Sequence, residues 1–376
     1  MKKSILALTM AGILLLTGCT AMLENRDHLS LSPYKPSSTS SIGASSYRVE
    51  NYQDLLDAIL SFVSAGEEHG VITMHNYNAQ DVEPDLTRAC LQVVQTDPLG
   101  AFLVDYIKHD YSLIVSYYEV NIHITYRHAP DRVDSIVSVT GSSAIRRELR
   151  KTLTSFASEA VLRVSYFAED EAYIQDLVRQ AYYNAPVAAL GMPEVTVSLY
   201  PATGTKRIVE IDLSYPENQA FLRRRSQELK ELVLSMVPQS SSAQDLYNTI
   251  IDSLTIEEGT GRNNAYDALV EGISDSEGAA LAYQLLCDQT SVQSVIVEGT
   301  LDGAPHFWNI ITEDGVTYRH VDLSNKLFSL TDDELTQFRL PAEEPDPLVP
   351  EPEPGTEPVE TGIYEWNHSA YPSCAP

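Results

Sequence analysis

The apolar residues between positions 48 and 237 recur in an order that the chain follows twice. Spacings of three and four residues predict amphipathic helices, and alternation of apolar and polar residues predicts strands. The first set is a helix over 52–62, a strand over 70–74, a helix over 82–94 and strands over 112–118 and 121–126. The second set is a helix over 145–156, a strand over 161–167, a helix over 171–183 and hairpin strands over 195–200 and 207–215. Both sets therefore run helix, strand, helix, strand, strand.

Matching residues at matching places indicate two copies of one unit. Pro98 and Pro186 each follow the second helix of their set, and Tyr126 and Tyr215 each fall at the end of the last strand. The two prolines and the two tyrosines are separated by nearly the same number of residues, as expected for a duplicated supersecondary unit. The predicted copies are residues 47–130 and residues 131–237, the second with an exit helix over 221–237.

The pattern changes at residue 238, where helices lead into a run of short strands. Residues 279–287 are apolar on nearly every side, which predicts a helix buried within a core. Strands are predicted over 295–299, 305–311 and 317–322, with turns that contain glycine between them. We assign residues 238–332 to one further domain, so the whole chain is predicted to have an α+β fold.

The chain opens with a short charged and then apolar leader. Two lysines precede an apolar run over 5–16, which is too short to span a bilayer comfortably and is typical of a secretory signal. Residues 16–19 resemble the bacterial lipobox. The resemblance implies that residues 1–18 are removed and that Cys19 is lipidated. The lipid bilayer would then be a partner, and the protein would lie on the extracytoplasmic face of the cell membrane.

Two segments lack the apolar surface that is needed to pack. Residues 19–46 are rich in serine, which predicts a flexible tether behind the lipid anchor. Residues 333–376 form a tail that is dense in proline and glutamate and ends in aromatic residues. The aromatic end is able to dock on the preceding domain or to contact a partner, and the sequence leaves both open.

Charge and cysteine content narrow the possible partners. The 376 residues carry a formal net charge of −28, which argues against nucleic acid as a partner because both are negatively charged. The four cysteines have neither metal-ligand spacing nor the pattern of a disulfide framework. We therefore expect no metal and no cofactor.

Candidate chemistry is confined to the C-terminal domain. Its strands carry two motifs, His306-Phe307-Trp308-Asn309 and His320-Val321-Asp322, and Ser276 stands ahead of the apolar helix. This arrangement resembles the transglutaminase-like domain of the papain-like cysteine-enzyme superfamily, over about a quarter of the chain. The resemblance implies that Ser276, His306 and Asp322 occupy the three positions of a catalytic triad.

The residue at the nucleophile position departs from that family. Ser276 replaces the cysteine, and a serine hydroxyl stays protonated and attacks only with an accurately placed base and oxyanion donors. Gly278 and Ala279 stand where the family has an aromatic residue. Ser274 and Glu277 fit a capping box, in which case Ser276 merely starts the helix. The sequence therefore favours a domain without catalytic turnover.

Three functions remain open on this basis. The leading hypothesis is a membrane-anchored lipoprotein whose transglutaminase-like domain is inactive and binds a peptide or a cell-wall ligand, with Trp308 and Asn309 as cleft candidates. The second is an active serine enzyme, a hydrolase or acyltransferase that acts on an amide or ester through the triad. The third is an envelope scaffold whose interface is formed by residues 48–237.

The lipid anchor can be tested by changing one residue. We expect Cys19→Ala to move the protein from the membrane to the soluble fraction, because lipid chains contribute roughly 0.8 kcal/mol of membrane affinity per buried CH₂. Fractionation followed by immunoblotting measures the change. Ser37→Ala, in the predicted tether, is the control and should stay in the membrane fraction. Tight membrane association of Cys19→Ala would contradict the assignment.

Overall fold

The folded part of the chain separates into two compact units. The computed structural model describes residues 46–77, 81–238, 241–340 and 361–375, so the predicted leader and nearly all of the tether lie outside the described residues. Unit 1 contains the described residues up to Leu91 together with Tyr106–Thr125, and unit 2 contains Gln92–Asp105 and the described residues from Tyr126 onwards. Among the described residues, no helix combines the length and apolar character that a membrane span requires.

The first sheet has four strands and includes the strands of unit 1. Its strands are β1 (Ser46–Val49), β2 (His69–His75), β3 (Val104–Ile114) and β4 (Tyr117–Tyr126), in the spatial order β1-β2-β4-β3. β1 and β2 are parallel, and β2 pairs with β4 in the antiparallel sense. The helices in this part of the chain are α1 (Tyr52–Ala65), α2 (Glu83–Thr96) and α3 (Pro98–Leu103).

Single residues determine where α1 begins and ends and how closely it packs on the sheet. The Asn51 side chain accepts a hydrogen bond from the Asp54 amide at the start, and Gly66 ends the helix with a φ of 70°. Phe62 of α1 packs over Gly70 of β2. A Cβ at position 70 would lie 2.3 Å from the Phe62 ring, so only glycine permits this close approach.

The second sheet repeats the strand order of the first. Its strands are β5 (Ile136–Val139), β6 (Glu159–Ser165), β7 (Glu194–Tyr200) and β8 (Lys206–Ser214), in the order β5-β6-β8-β7. The first pair is parallel and the second pair is antiparallel, as in the first sheet. The helices of this part are α4 (Gly141–Thr154), α5 (Glu171–Tyr183) and α6 (Gln219–Met236).

The structure corrects the predicted elements at three places. β1 and β5 are not predicted, because four residues are too few to establish an alternating pattern. The strand predicted over 112–118 is wrong, because the chain turns at Val115 and Ser116 in its middle. Val115 has a φ of 54°, which is rare for a β-branched residue, so an apolar run conceals the turn.

The C-terminal part of unit 2 is built on an antiparallel sheet of five strands. These are β11 (Gln293–Leu301), β12 (Ala304–Thr312), β13 (Arg319–Asp322), β14 (Leu327–Leu330) and β15 (Tyr364–Trp366), in the order β14-β13-β12-β11-β15. A short parallel pair, β9 (Thr255–Ile256) and β10 (Ile273–Ser274), precedes it. The helices are α7 (Ala243–Ile251), a π-helical turn at Asp267–Glu271, α8 (Ser276–Cys287) and α9 (Asp332–Gln337). The described residues thus form the mixed α+β fold that the sequence predicts.

One hydrophobic core joins the second sheet to the C-terminal sheet. It includes residues from Val139 to Leu323, among them the apolar side chains of α8. A polar contact reinforces the junction, because the Gln284 side chain donates to the Tyr183 carbonyl. The segments predicted as 131–237 and 238–332 therefore lie within the same compact unit.

The aromatic end of the tail docks on the C-terminal sheet. β15 pairs with the edge of β11, and the rings of Trp366 and Trp308 meet edge to face with centroids 5.7 Å apart. The Tyr371 hydroxyl accepts a hydrogen bond from the Glu298 amide at 3.1 Å, and Cys374 is fully buried. Of the two roles that the sequence leaves open for these residues, the structure shows docking.

The contribution of β15 to stability can be measured with neighbouring substitutions. Tyr364 is buried and the adjacent Glu365 is exposed. We expect Tyr364→Ala to lower the free energy of unfolding by about 3 kcal/mol, because a large buried ring is lost. Glu365→Ala, the control, should change it by less than about 0.5 kcal/mol. Urea denaturation followed by circular dichroism measures both, and equal effects would show that β15 adds little.

Candidate functional site

Ser276 and His306 line one cleft in unit 2, and Asp322 contacts His306 from within the core. Ser276 is the first residue of α8, His306 lies on β12, and Asp322 ends β13. Ser276 and His306 line a cleft of about 520 Å³. Asp322 is buried, and one of its carboxylate oxygens lies 2.8 Å from His306 Nε2. The structure therefore brings together the three residues at the predicted triad positions.

Asp275 sets the start of α8 and so the position of Ser276. Its carboxylate accepts a hydrogen bond from the Gly278 amide at 3.0 Å, which makes it the N-cap. The Ser274 hydroxyl instead donates to the Asp275 carbonyl. The predicted capping box of Ser274 and Glu277 is therefore wrong, because Asp275 already fills the capping position.

A tight contact behind α8 requires glycine at position 278. A Cβ there would lie 2.9 Å from the backbone nitrogen and oxygen of Asn264. The Asn264 side chain in turn accepts from the Tyr266 and Asp267 amides, which holds the loop against the helix. Gly278 thus has a packing role in this chain.

The carboxylate of Asp322 is surrounded by hydrogen-bond donors. Oδ2 pairs with His306 and accepts from the Asn325 side chain at 2.9 Å and from the Tyr364 hydroxyl at 2.5 Å. Oδ1 accepts from the Ser324 and Asn325 amides. These donors come from β12, from the turn after β13 and from β15, so three separate parts of the chain fix one carboxylate.

The donors around Asp322 determine which atoms of the His306–Asp322 pair, called the dyad below, carry protons. Burial by itself would raise the pKa of Asp322, but the contacts with His306, Tyr364 and Asn325 outweigh it, and the pKa of the carboxyl lies below its usual range. An ionised Asp322 accepts a hydrogen bond from the Nε2–H group of His306. In the neutral ring the lone pair is then on Nδ1, which forms no hydrogen bond within the described part of the chain.

The Ser276 amide is held by a carboxylate. It donates to Glu258 Oε1 at 3.0 Å. The Ser276 residue is only 2% exposed, yet its hydroxyl forms no hydrogen bond with any residue that the structure describes, His306 included. An amide at a helix N-terminus is the kind of donor that stabilises an oxyanion. In this chain Glu258 already accepts the hydrogen bond of the Ser276 amide, so that amide is not available to an oxyanion.

Two further carboxylates lie beside Glu258. Asp275 and Glu277 line the same cleft, and burial raises the pKa of both, that of Glu277 to about 7. Repulsion from Glu258 adds to the increase for Asp275, and repulsion from Asp275 adds to the increase for Glu277. The start of α8 therefore carries a concentration of negative charge.

The two predicted cleft candidates lie in the core. Trp308 and Asn309 are each 1% exposed, and neither is among the described residues that line the cleft. Trp308 Nε1 donates to His320 Nδ1 at 2.9 Å. The side-chain Nδ2 of Asn309 donates to the Ala280 carbonyl and to the Ser294 hydroxyl. Both side chains hold β12 to neighbouring elements.

Two groups of side chains have the composition of metal ligands. The first is His320, Asp332 and Cys374, with ligand atoms within 4.8 Å of one another. Internal hydrogen bonds use both nitrogens of His320 and both oxygens of Asp332. The second, which includes Glu159 and Glu210, is bridged by Arg132. Protein partners thus already engage His320, Asp332, Glu159 and Glu210.

Sequence reasoning missed three residues of the site. Glu258 follows a two-residue strand, Asn325 lies in the turn after β13, and Tyr364 lies beyond the proline-rich part of the tail. None belongs to a motif of its own. Tyr364 belongs to the aromatic end of the tail, which the sequence marks only as able to dock. For Glu258 the signal is the acidic pair Glu257-Glu258 followed by glycine, which indicates a turn and no particular role.

The titration of Glu277 makes stability depend on pH. Its pKa of about 7 lies above the ordinary value for glutamate, so the folded state binds the proton more tightly and loses stability as pH rises from about 5 through 7. Tyr183 and Asn263 donate to this carboxyl, and Asp275 and Glu298 repel it. A glutamine at position 277 retains an acceptor and carries no charge.

We therefore expect Glu277→Gln to stabilise the protein by about 1–2 kcal/mol at pH 8 and by little at pH 5, with water in the cleft screening part of the effect. Urea denaturation at the two pH values measures this. Glu217→Gln, at an exposed position, is the control and should have a small effect at both. A difference for Glu277→Gln that does not change with pH would contradict the assignment.

Comparison with solved structures gives a distant likeness. No family model matches the chain, and no curated protein matches it. A solved structure described as "Crystal structure of a TGase" is similar to this chain at 10% sequence identity, over 66% of this chain and 73% of that chain, with a TM-score of 0.28. A likeness at that TM-score supports no inference about function, which has to come from the site itself.

Proposed function

We propose that the protein is a membrane-anchored, extracytoplasmic lipoprotein with a transglutaminase-like domain that has lost catalysis. In this proposal the cleft beside Ser276 and His306 binds a peptide or a cell-wall ligand without turnover. Cys19 provides the anchor, and the serine-rich tether allows the folded part to reach ligands away from the bilayer.

The observation that carries the proposal is the hydrogen bond from the Ser276 amide to Glu258. Acyl transfer develops negative charge on the substrate oxygen, and donors aimed at that oxygen stabilise it. A carboxylate in the same place removes one donor and adds a repulsive charge. Loss of one such donor lowers the rate by about 100- to 1000-fold. Together with the protonated serine hydroxyl, this favours binding over catalysis.

The remaining residues of the site support descent from a working enzyme. The Asp322 carboxylate still orients His306, and an aromatic hydroxyl and an amide side chain still hold that carboxylate. His306 and Asp322 are retained, whereas Ser276 stands at the nucleophile position and Glu258 binds its amide. We expect this pattern when a nucleophile has been lost and the cleft has been kept.

The two four-stranded sheets support the proposed duplication. Each has a parallel first pair, an antiparallel second pair and the last two strands in reversed order. We therefore propose that residues 47–130 and 131–237 are copies of one unit, each with an additional short strand ahead of its first helix.

A second candidate function is an active serine enzyme. The specific observation in its favour is His306, whose Nε2 is fixed by Asp322 and whose Nδ1 is able to accept a proton. In that case Ser276 attacks an amide or ester, His306 takes the hydroxyl proton and returns it to the leaving group, and Glu258 has to move away from the amide.

Intact mass distinguishes the two functions. The full chain in nonionic detergent is treated with a fluorophosphonate, which labels activated serines, and separately with iodoacetamide. Wild type, Ser276→Ala and Ser276→Cys are compared. We expect wild type and Ser276→Ala to take up equal amounts of fluorophosphonate, because Ser276 is not activated. We expect Ser276→Cys to gain one thiol adduct relative to Ser276→Ala, which corrects for the buried cysteines Cys90, Cys287 and Cys374.

Two outcomes contradict the proposal. Fluorophosphonate labelling of wild type at Ser276, absent in Ser276→Ala, identifies an active serine enzyme. A Ser276→Cys variant that remains folded and gains no adduct shows that small molecules do not enter the cleft, which is incompatible with a binding site there.

A further inference from the structure

The turn between β3 and β4 in unit 1 exposes an uninterrupted apolar run to water. Residues 111–118 contain no charged side chain, and Leu113, Ile114 and Val115 follow one another at the turn. Leu113 is 63% exposed, Ile114 37% and Val115 98%. Single exposed apolar residues are ordinary, but a contiguous exposed group marks a surface that contacts something outside the chain.

Val115 is an unfavourable residue for its place in the turn. Its φ of 54° lies in the left-handed region, which glycine adopts at little cost and a β-branched residue rarely adopts. The side chain is almost fully exposed, so packing within the described structure does not compensate for this cost. An exposed valine in a strained turn therefore indicates a role at a surface that the chain itself does not provide.

Three tyrosines lie behind the aliphatic residues of the turn. They are Tyr111 on β3 and Tyr117 and Tyr118 on β4, and the rings of Tyr111 and Tyr118 meet edge to face with centroids 6.0 Å apart. A tyrosine has an apolar ring and a polar hydroxyl, and it is enriched where a bilayer meets water. The charged residues Asp110 and Glu119 come next along the two strands. Polarity thus increases with distance from the turn, as it does from the acyl chains of a bilayer to water.

The edge of β3 does not extend this apolar surface. β3 is the edge strand of the first sheet, and Asp105, Lys108 and Asp110 are exposed along it. Charged side chains on an edge strand oppose pairing with a further strand. An unpaired edge also cannot enter hydrocarbon, because its backbone polar groups would lose their hydrogen bonds to water. Contact with an apolar phase is therefore confined to the turn and is shallow.

The predicted lipid anchor brings the same unit close to a bilayer. Ser46, the first residue of β1, is at the level of Asn121 of β4, because both residues pair with Val71 of β2. The turn is about 17 Å further along β4 at 3.4 Å per residue. As a flexible chain, the predicted tether over residues 19–46 has an r.m.s. length of about 30 Å. A lipid on Cys19 would thus hold the turn near the bilayer at a high effective concentration.

We propose that the turn between β3 and β4 inserts into the lipid bilayer, with Leu113, Ile114 and Val115 at the acyl boundary and the three tyrosines among the head groups. The inference rests on the proposed function, because it requires the anchor at Cys19, and it adds a second membrane contact that orients unit 1. The attraction is apolar, since a chain with a net charge of −28 is repelled by anionic lipid.

Fluorescence quenching locates the turn relative to the bilayer. The lipidated full chain is reconstituted in phosphatidylcholine vesicles, with and without phosphatidylcholine that carries a doxyl quencher near the glycerol end of an acyl chain. A nitrobenzoxadiazole label is attached to Ser116→Cys, which leaves the aliphatic residues of the turn intact. Cys90, Cys287 and Cys374 are buried, so the introduced thiol takes the label. We expect the quencher to remove at least about half of the emission, because interfacial insertion reaches about 5–10 Å into the bilayer.

A serine at the other end of the same unit is the matched control for the label. Ser64 is exposed near the end of α1. The chain then enters β2 at His69, which pairs with His123, whereas the turn joins β4 at Tyr117, which pairs with His75. The turn and the start of β2 therefore lie at opposite ends of the sheet. We expect the label on Ser64→Cys to keep its emission in the presence of the quencher.

A charge at the turn should withdraw it from the bilayer. In the chain labelled at position 116, we expect Leu113→Asp to lower the inserted fraction by about tenfold or more, because a leucine side chain is lost from the acyl boundary and a charge takes its place. Leu234→Asp is the control, since Leu234 lies on α6 and is 69% exposed. It should leave the quenching at position 116 unchanged.

Flotation of the vesicles separates this inference from the proposed function. If the protein floats with the vesicles and the label at position 116 is not quenched, the anchor stands and the inference is wrong. Equal quenching at positions 64 and 116, or equal effects of Leu113→Asp and Leu234→Asp, would also overturn it, because the contact would not be specific to the turn. Emission at position 116 that changes with protein concentration and not with the quencher would identify a second copy as the partner instead. Failure to float would overturn both the anchor and the inference.

Discussion

The buried carboxylate of Asp322 is the interaction on which the C-terminal domain depends. An ionised carboxylate cannot leave water without donors, and Asp322 is surrounded by His306, Ser324, Asn325 and Tyr364. The donors come from strands that are distant in sequence, so the charge ties β12, β13 and β15 to one point. Loss of any donor leaves part of a buried charge unsatisfied, which explains why the dyad persists whether or not the domain catalyses a reaction.

The tail strand becomes part of the domain through the same carboxylate. β15 closes the edge of β11, and its Tyr364 hydroxyl reaches Asp322 while Trp366 covers Trp308. Edge strands are otherwise exposed to pairing with other chains, and an added strand of the same chain removes that hazard on one side of the sheet. The folded domain thus extends through residues that the sequence places beyond a proline-rich tail.

Opposite signs of charge meet at the start of α8. A helix N-terminus attracts anions, and in a nucleophilic enzyme it would serve the transition state. In this protein the carboxylates of Glu258 and Asp275 accept hydrogen bonds from the Ser276 and Gly278 amides. The chain itself therefore occupies backbone donors that an oxyanion would otherwise use.

Local sequence patterns predict the α+β class, the apolar helix α8 and the order of strands around His306 and Asp322, and the sequence shows that position 276 is not a cysteine. These follow from local periodicity and from short motifs, which report elements and residue types. The N-cap at Asp275, the hydrogen bond from the Ser276 amide to Glu258 and the docking of Tyr364 appear only in the folded chain. The cap depends on which of several neighbouring polar residues is placed to accept from the helix amides. The other two contacts join residues that are distant in sequence, and no periodic pattern encodes a contact between a turn, a helix end and a tail.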